Sequence, residues 1–184
     1  MKSLLITICG DGGGITGPNG CFSDLQEAFD SLEMDVKVVL VQTVPRNIDK
    51  NLQRIKSVIE DNMKYFDKIY LCGWSLGGAT VMKTAFIINE YHGLRIVNGL
   101  ILLASCDACS EYLQELDIPA LFIHGDRDRT VPYKYSRELH DYYQYEKSYY
   151  LLEQCGHCFS ELNRMEMALF VARKSAELFG IKRF

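Results

Sequence analysis

The sequence predicts an α/β fold: a three-layer α/β/α sandwich around a mostly parallel sheet of about six strands. Three observations carry this. Short, apolar, β-prone runs alternate with segments of helical periodicity along the whole chain, and such alternation implies right-handed crossovers with helices on both faces of the sheet. The runs are apolar throughout rather than at every second residue, as strands covered on both faces must be. Finally, Gly73-Trp74-Ser75-Leu76-Gly77 stands where one apolar run ends and a helical one begins. Glycines two before and two after Ser75 remove the side chains that would clash in so sharp a turn.

The elements follow in order. Ser3 to Cys9 reads as the first strand, followed by a glycine-rich loop, Gly10 to Gly20. Phe22 to Leu32 suits a helix, and the β-branched run Val36 to Val41 is the second strand. Ile48, Leu52, Ile55, Ile59, Met63 and Phe66 then recur at helical spacing. Lys68 to Cys72, bounded by Gly73, is a buried strand, and Ala79 to Tyr91 is a helix apolar around nearly its whole circumference. After it come a strand at Val97 to Leu103, a short helix at Cys109 to Leu116 and a strand at Ala120 to His124. Tyr133 to Tyr145 is read as helical, Ser148 to Leu152 as the last strand, and Phe159 to Phe179 as a long amphipathic helix closed by Gly180, with Lys182 and Arg183 beyond.

A chain of 184 residues is expected to form one domain, 1–184, with a self-sufficient core. Hydrophobic residues at 48% and charged residues at 24% exclude disorder and a coiled coil. The net charge of −4 disfavours nucleic acid as a partner. No apolar stretch is long enough to span a membrane, and Leu4-Leu-Ile-Thr-Ile8 lacks the length and cleavage site of a signal peptide, so a cytoplasmic protein is expected. Seven cysteines, several of them inside strands or turns, fit free thiols in a reducing compartment.

A serine hydroxyl is a weak nucleophile until a base removes its proton, and the base is best a histidine held by a carboxylate. Two segments offer these groups. His124-Gly-Asp-Arg-Asp128-Arg-Thr-Val-Pro132 follows one strand and Gly156-His157 follows the last, which puts both at the sheet edge that carries Ser75. In chain order the candidates run Ser75, Asp128, His157, with Asp126 and Asp107 as competing acids.

In that order, and in Gly-x-Ser-x-Gly, His-Gly-x-x-Asp-x-x-Val-Pro and Gly-His each following a strand, nearly the whole chain resembles the α/β-hydrolase superfamily. The resemblance implies a minimal α/β-hydrolase fold with Ser75 as nucleophile, His157 as general base and then acid, and Asp128 as the orienting carboxylate. It further implies an oxyanion hole with one donor from the backbone of Leu76 and a second from the loop after the first strand. There this sequence has Cys9-Gly10-Asp11-Gly12, where family members often carry His-Gly. Asp11 is the first choice for the second donor and Gly12 the next, provided the Asp11 carboxylate points away. Only Ser105 to Pro119 separates the strand after the nucleophile helix from the next, too little for a cap domain. The resemblance therefore points to small lidless carboxylesterases and acyl-protein thioesterases, whose partner is a small-molecule or acyl-carrier ester or thioester, with neither cofactor nor metal.

Three rival readings stand beside this one. Gly12-Gly-Gly14-Ile-Thr-Gly17 matches a dinucleotide-binding Gly-x-Gly-x-x-Gly, but Pro18-Asn19-Gly20 interrupts the helix that should follow, and the second strand ends in Gln42-Thr43 without a ribose-binding acid. Cys106/Cys109 and Cys155/Cys158 could supply four zinc thiolates. Seven of the 11 tyrosines lie between Tyr133 and Tyr150, either as packing or as the binding face of a non-catalytic scaffold.

Overall fold

All six apolar runs become strands of one sheet in the computed structural model, which describes residues 1–12 and 14–183. The strands are β1 (Ser3–Ile8), β2 (Val36–Val41), β3 (Lys68–Trp74), β4 (Val97–Leu103), β5 (Ala120–Gly125) and β6 (Lys147–Leu152). Their order is β2-β1-β3-β4-β5-β6, and every neighbouring pair is parallel. The helices are α1 (Cys21–Ser31), α2 (Ile48–Asn62), α3 (Leu76–His92), α4 (Ser110–Gln114), α5 (Tyr133–Tyr142) and α6 (Arg164–Phe179).

Period-two burial divides the core between the two faces of the sheet. Leu5, Ile101, Leu103, Leu121 and Ile123 pack with α1 and α6 on one side; Leu4, Ile6, Ile8, Leu100, Leu102 and Phe122 pack with α2 and α3 on the other. α6 presents Met167, Ala168, Val171, Ala172, Ser175 and Ala176, an i, i+4 stripe. α3 is buried over most of its circumference, from Gly77 to Ile88, which explains its lack of a polar face.

The sheet edge at the strand C-termini has a topological switch. β2 lies on one side of β1 and β3 on the other, so the loops after β1 and β3 part there and leave a crevice between them. Cys9-Gly10 and Ser75 open those two loops.

Several boundaries differ from the sequence-based expectation. α6 begins at Arg164, not Phe159, because Asn163 caps it: its side chain accepts from Met165 N–H at 2.9 Å while Glu166 accepts from Asn163 N–H at 3.2 Å. Phe159 has φ +53 and is fully buried, so it anchors the preceding loop instead. α5 stops at Tyr142 because Tyr143 turns extended and drops into the core, its hydroxyl donating to the Leu116 and Ile118 carbonyls. The short helix after β4 is reduced to Ser110–Gln114 within residues 104–119, and no cap is built there.

Candidate active site

The loop between β3 and α3 is one residue long. Ser75 alone makes the turn, at φ 58 and ψ −123, a conformation that a non-glycine residue adopts only when its surroundings impose it. The surroundings do so through close backbone approach. A Cβ on Gly73 would strike the Gly77 carbonyl, and one on Gly77 would lie 2.5 Å from the Ile8 carbonyl oxygen. Ser75 N–H donates to Leu103 O at 2.9 Å, tying the elbow to β4. Ser75 and Leu76 are both half-buried.

Asp128 lies in the tight loop after β5. Its Oδ1 accepts from Thr130 N–H and Val131 N–H, both at 2.8 Å. Its Oδ2 lies 2.7 Å from His157 Nδ1 and 3.0 Å from His124 Nε2. Burial would push this carboxyl up, but the donors from His124, His157 and Val131 outweigh it and hold the acid well below the usual carboxylate range. An ionised Asp128 must receive a proton from His157, which fixes Nδ1–H and leaves Nε2 with its lone pair for another group.

His157 is carried by the loop after β6, which is bound to the Asp128 loop. Arg127 N–H donates to Cys155 O at 2.9 Å, and Asp126 N–H donates to Leu152 O at 3.1 Å. Gly125 is required here, since a Cβ would strike the Cys155 carbonyl. Trp74, next to the serine, donates its indole N–H to His157 O at 3.0 Å, and the two rings lie 5.1 Å apart. The imidazole is thereby held against the residue that precedes Ser75. Among the described residues no hydrogen bond joins Ser75 Oγ to His157, a bond often long in unliganded sites.

The loop after β1 closes the other side. Gly10 is buried, and a Cβ there would lie 2.6 Å from Ser75 Cβ and 3.0 Å from Oγ, so only backbone fits beside the serine. Asp11 is exposed and its carboxylate accepts from Arg46 Nε at 3.0 Å. Gly12 occupies an exposed turn at φ +71. Leu76 N–H belongs to the first turn of α3, whose amides have no carbonyl within the helix to receive them.

Neither competing acid reaches His157. Asp126 has a buried oxygen with no partner and no bond to His157, and Asp107 stands exposed beyond β4. In the dinucleotide motif, Gly13 lies outside the described residues; after it a single 3-10 turn over Pro18–Gly20 precedes α1. No group of three or more His, Cys, Asp or Glu side chains suited to a metal occurs among the described residues. Cys155 is buried and Cys158 exposed. Of the tyrosines, Tyr143 is core, Tyr149 lies 3.4 Å from Ser136 Oγ and Tyr150 stands edge-on to Phe170, whereas Tyr133, Tyr142 and Tyr145 are exposed.

Sequence reasoning missed three contributors. His124 opens the His-Gly-x-x-Asp motif, and its i, i+4 spacing from Asp128 at a strand end is the signal that points to it. Trp74 and Gly10 act through contacts between distant loops, for which the sequence has no local signal.

Comparison with known proteins bears on the fold. The alpha/beta hydrolase family matches residues 22–160. A search of curated proteins finds no match to the sequence. Among solved structures, Est1E from Butyrivibrio proteoclasticus superposes with a TM-score of 0.79 at 18% identity, over 97% of this chain and 89% of its own. Dienelactone hydrolase from Anabaena variabilis gives 0.78 at 16% identity over 98% and 88%. An alpha-beta serine hydrolase homologue from Coxiella burnetii gives 0.72 at 19% identity over 94% and 84%.

Proposed function

Since the chain belongs to the alpha/beta hydrolase family, we propose that it is a serine hydrolase that cleaves a carboxylic ester or thioester through an acyl-enzyme. The observation that carries this reading is the 2.7 Å bond between His157 Nδ1 and the ionised Asp128, made beside the strained Ser75 turn. With Nδ1 committed to Asp128, Nε2 is the atom that takes the Ser75 proton as Oγ attacks the substrate carbonyl. The negative charge that develops on the carbonyl oxygen is met by Leu76 N–H and by a backbone N–H of the loop after β1, at Asp11 or Gly12. His157 then returns its proton to the departing alcohol or thiol. A water molecule, deprotonated by the same Nε2, attacks the acyl group and releases the acid and free Ser75.

The Asp11 carboxylate, which would repel an oxyanion, is engaged by Arg46 in an exposed ion pair, which supports the backbone rather than the side chain as donor. Residues 104–119 carry only the five-residue α4, so the site is expected to be shallow and open to small esters or to an acyl group on a larger carrier.

The test is a fluorophosphonate probe combined with p-nitrophenyl esters from acetate to palmitate and acyl-CoA thioesters. The wild-type protein should label at Ser75, and Ser75→Ala should abolish labelling and cut kcat/KM by about 10³-fold or more. Full turnover by Ser75→Ala on every substrate cleaved would refute the proposal. A binding scaffold of the same fold would neither label nor turn over.

A further inference from the structure

Two histidines share one oxygen of Asp128. His124, from the end of β5, is fully buried, and its Nε2 lies 3.0 Å from Asp128 Oδ2 and 2.9 Å from Val131 O. Both neighbours are acceptors, so Nε2 must carry the proton. Its Nδ1 is buried with no hydrogen-bond partner. A proton on Nδ1 would be a buried donor with no acceptor, so His124 acts through Nε2–H as a fixed N–H donor. Asp128 thus receives four donors: Thr130 N–H and Val131 N–H on Oδ1, and His124 and His157 on Oδ2. Only the last of these comes from the proposed base.

We infer that His124 is a positioning residue that locks the Asp128 carboxylate and, by sharing Oδ2, limits how strongly Asp128 holds the His157 imidazolium. This rests on the serine hydrolase reading. The two backbone donors fix Oδ1 alone, and a carboxylate held at one oxygen can still twist about its Cβ–Cγ bond. His124 Nε2–H, itself anchored on Val131 O, fixes the second oxygen and hence the plane. His157 Nδ1 then meets a preset acceptor, as productive geometry requires. The same shared proton withdraws charge from Oδ2, so the imidazolium formed during reaction is held less tightly and returns its proton more readily to the leaving group.

The other ionisable groups of the packed elements are few. Asp126, Arg127 and Arg129 share the loop of Asp128, both arginines being exposed. The loop after β6 brings Cys155, Cys158 and Glu161, whose carboxylate accepts from Gly156 N–H at 3.1 Å. The loop after β4 brings Cys106, its thiol directed to Ser75 O, and then Asp107. β3 contributes the Trp74 indole, and Leu151 is the partner of His124 on β6. Among the described residues, His124 is the one histidine besides His157 that reaches Asp128.

The test compares wild type, His124→Leu and His124→Gln, whose amide nitrogen can replace Nε2–H. Each is checked for folding by circular dichroism and assayed across pH for fluorophosphonate labelling and ester turnover. In His124→Leu, kcat is expected to fall about 10-fold with KM little changed, and the acid limb of the profile to move up by about half a pH unit. His124→Gln should recover most of both. An unmoved acid limb in folded His124→Leu, or a Gln variant as impaired as Leu, overturns the inference. Should His124→Leu not fold, nitrogen-15 NMR of the wild-type imidazoles decides: the His124 Nε2–H signal should follow the titration of His157, and a signal indifferent to it refutes the coupling. A wild type that neither labels nor turns over sinks the hydrolase reading instead, and the NMR result still separates the two.

Discussion

Asp128 concentrates the electrostatics of this molecule in one side chain. Burial works against its charge, and hydrogen bonds from two imidazoles and a backbone amide overcome it, so the native acid stays ionised well below the usual range. By linkage, a carboxyl depressed in the folded state stabilises the fold fully above about pH 4, the unfolded-chain value, and the contribution is lost as the pH falls toward the native value. Urea midpoints taken between about pH 5 and pH 3 should therefore fall more steeply for wild type than for Asp128→Asn. Equal slopes would show that the carboxylate is not the group being titrated. The same variant should lose about 10⁴-fold in kcat if His157 is the base, because an amide offers no acceptor charge to fix its tautomer. The pairing of Asp128 with His157 was legible as chain order. For the second histidine the chain carries only its i, i+4 spacing from Asp128, and it is the fold of the β5 loop that turns its Nε2 toward the same oxygen.

The loops at the ends of β1, β3, β5 and β6 are held together by close backbone approach and by the Trp74 indole. Glycines at 10, 77 and 125 mark the places where one loop or strand end passes another too closely for a Cβ, and Gly73 the place where the elbow folds onto its own helix. Gly10→Ala is the informative substitution, since the new methyl would lie 2.6 Å from Ser75 Cβ and force the β1 loop away from the serine. Labelling by fluorophosphonate should slow about 10²-fold, as expected for a displacement of about 1 Å near the reacting atoms, while the melting temperature changes far less. A rate equal to wild type would mean that the β1 loop takes no part in the chemistry. The periodicity that located α6 could not locate its first turn, because Asn163 and Glu166 close the capping box with side chains whose role depends on local geometry.

At the scale of the whole molecule, no helix is long and apolar enough to cross a membrane among the described residues, and the cysteines divide by burial. Burial pushes the Cys9 thiol up to about 11 and Cys21 up to about 12, and raises Cys72 well above the ordinary thiol range. Ellman's reagent near pH 8 should modify exposed Cys158 first and leave Cys9, Cys21 and Cys72 untouched until denaturant is added. Rapid loss of those three in the native protein, followed by peptide mass spectrometry, would contradict the packing of β1, α1 and β3. The sequence by itself determined the alternation, the six strands, their parallel arrangement and the edge on which the chemistry-bearing residues fall. Those follow from local periodicity and from the handedness of crossovers, both written in nearest neighbours. Only the tertiary structure decided that His124 shares Asp128 with His157, that Trp74 pins the His157 loop, and that Gly10 lies against Ser75. The Trp74 and Gly10 contacts join residues far apart in the chain, and His124, only four residues from Asp128, is aimed by the β5 loop; hydrogen-bond direction and backbone approach at ångström scale are not encoded by a pattern along the chain.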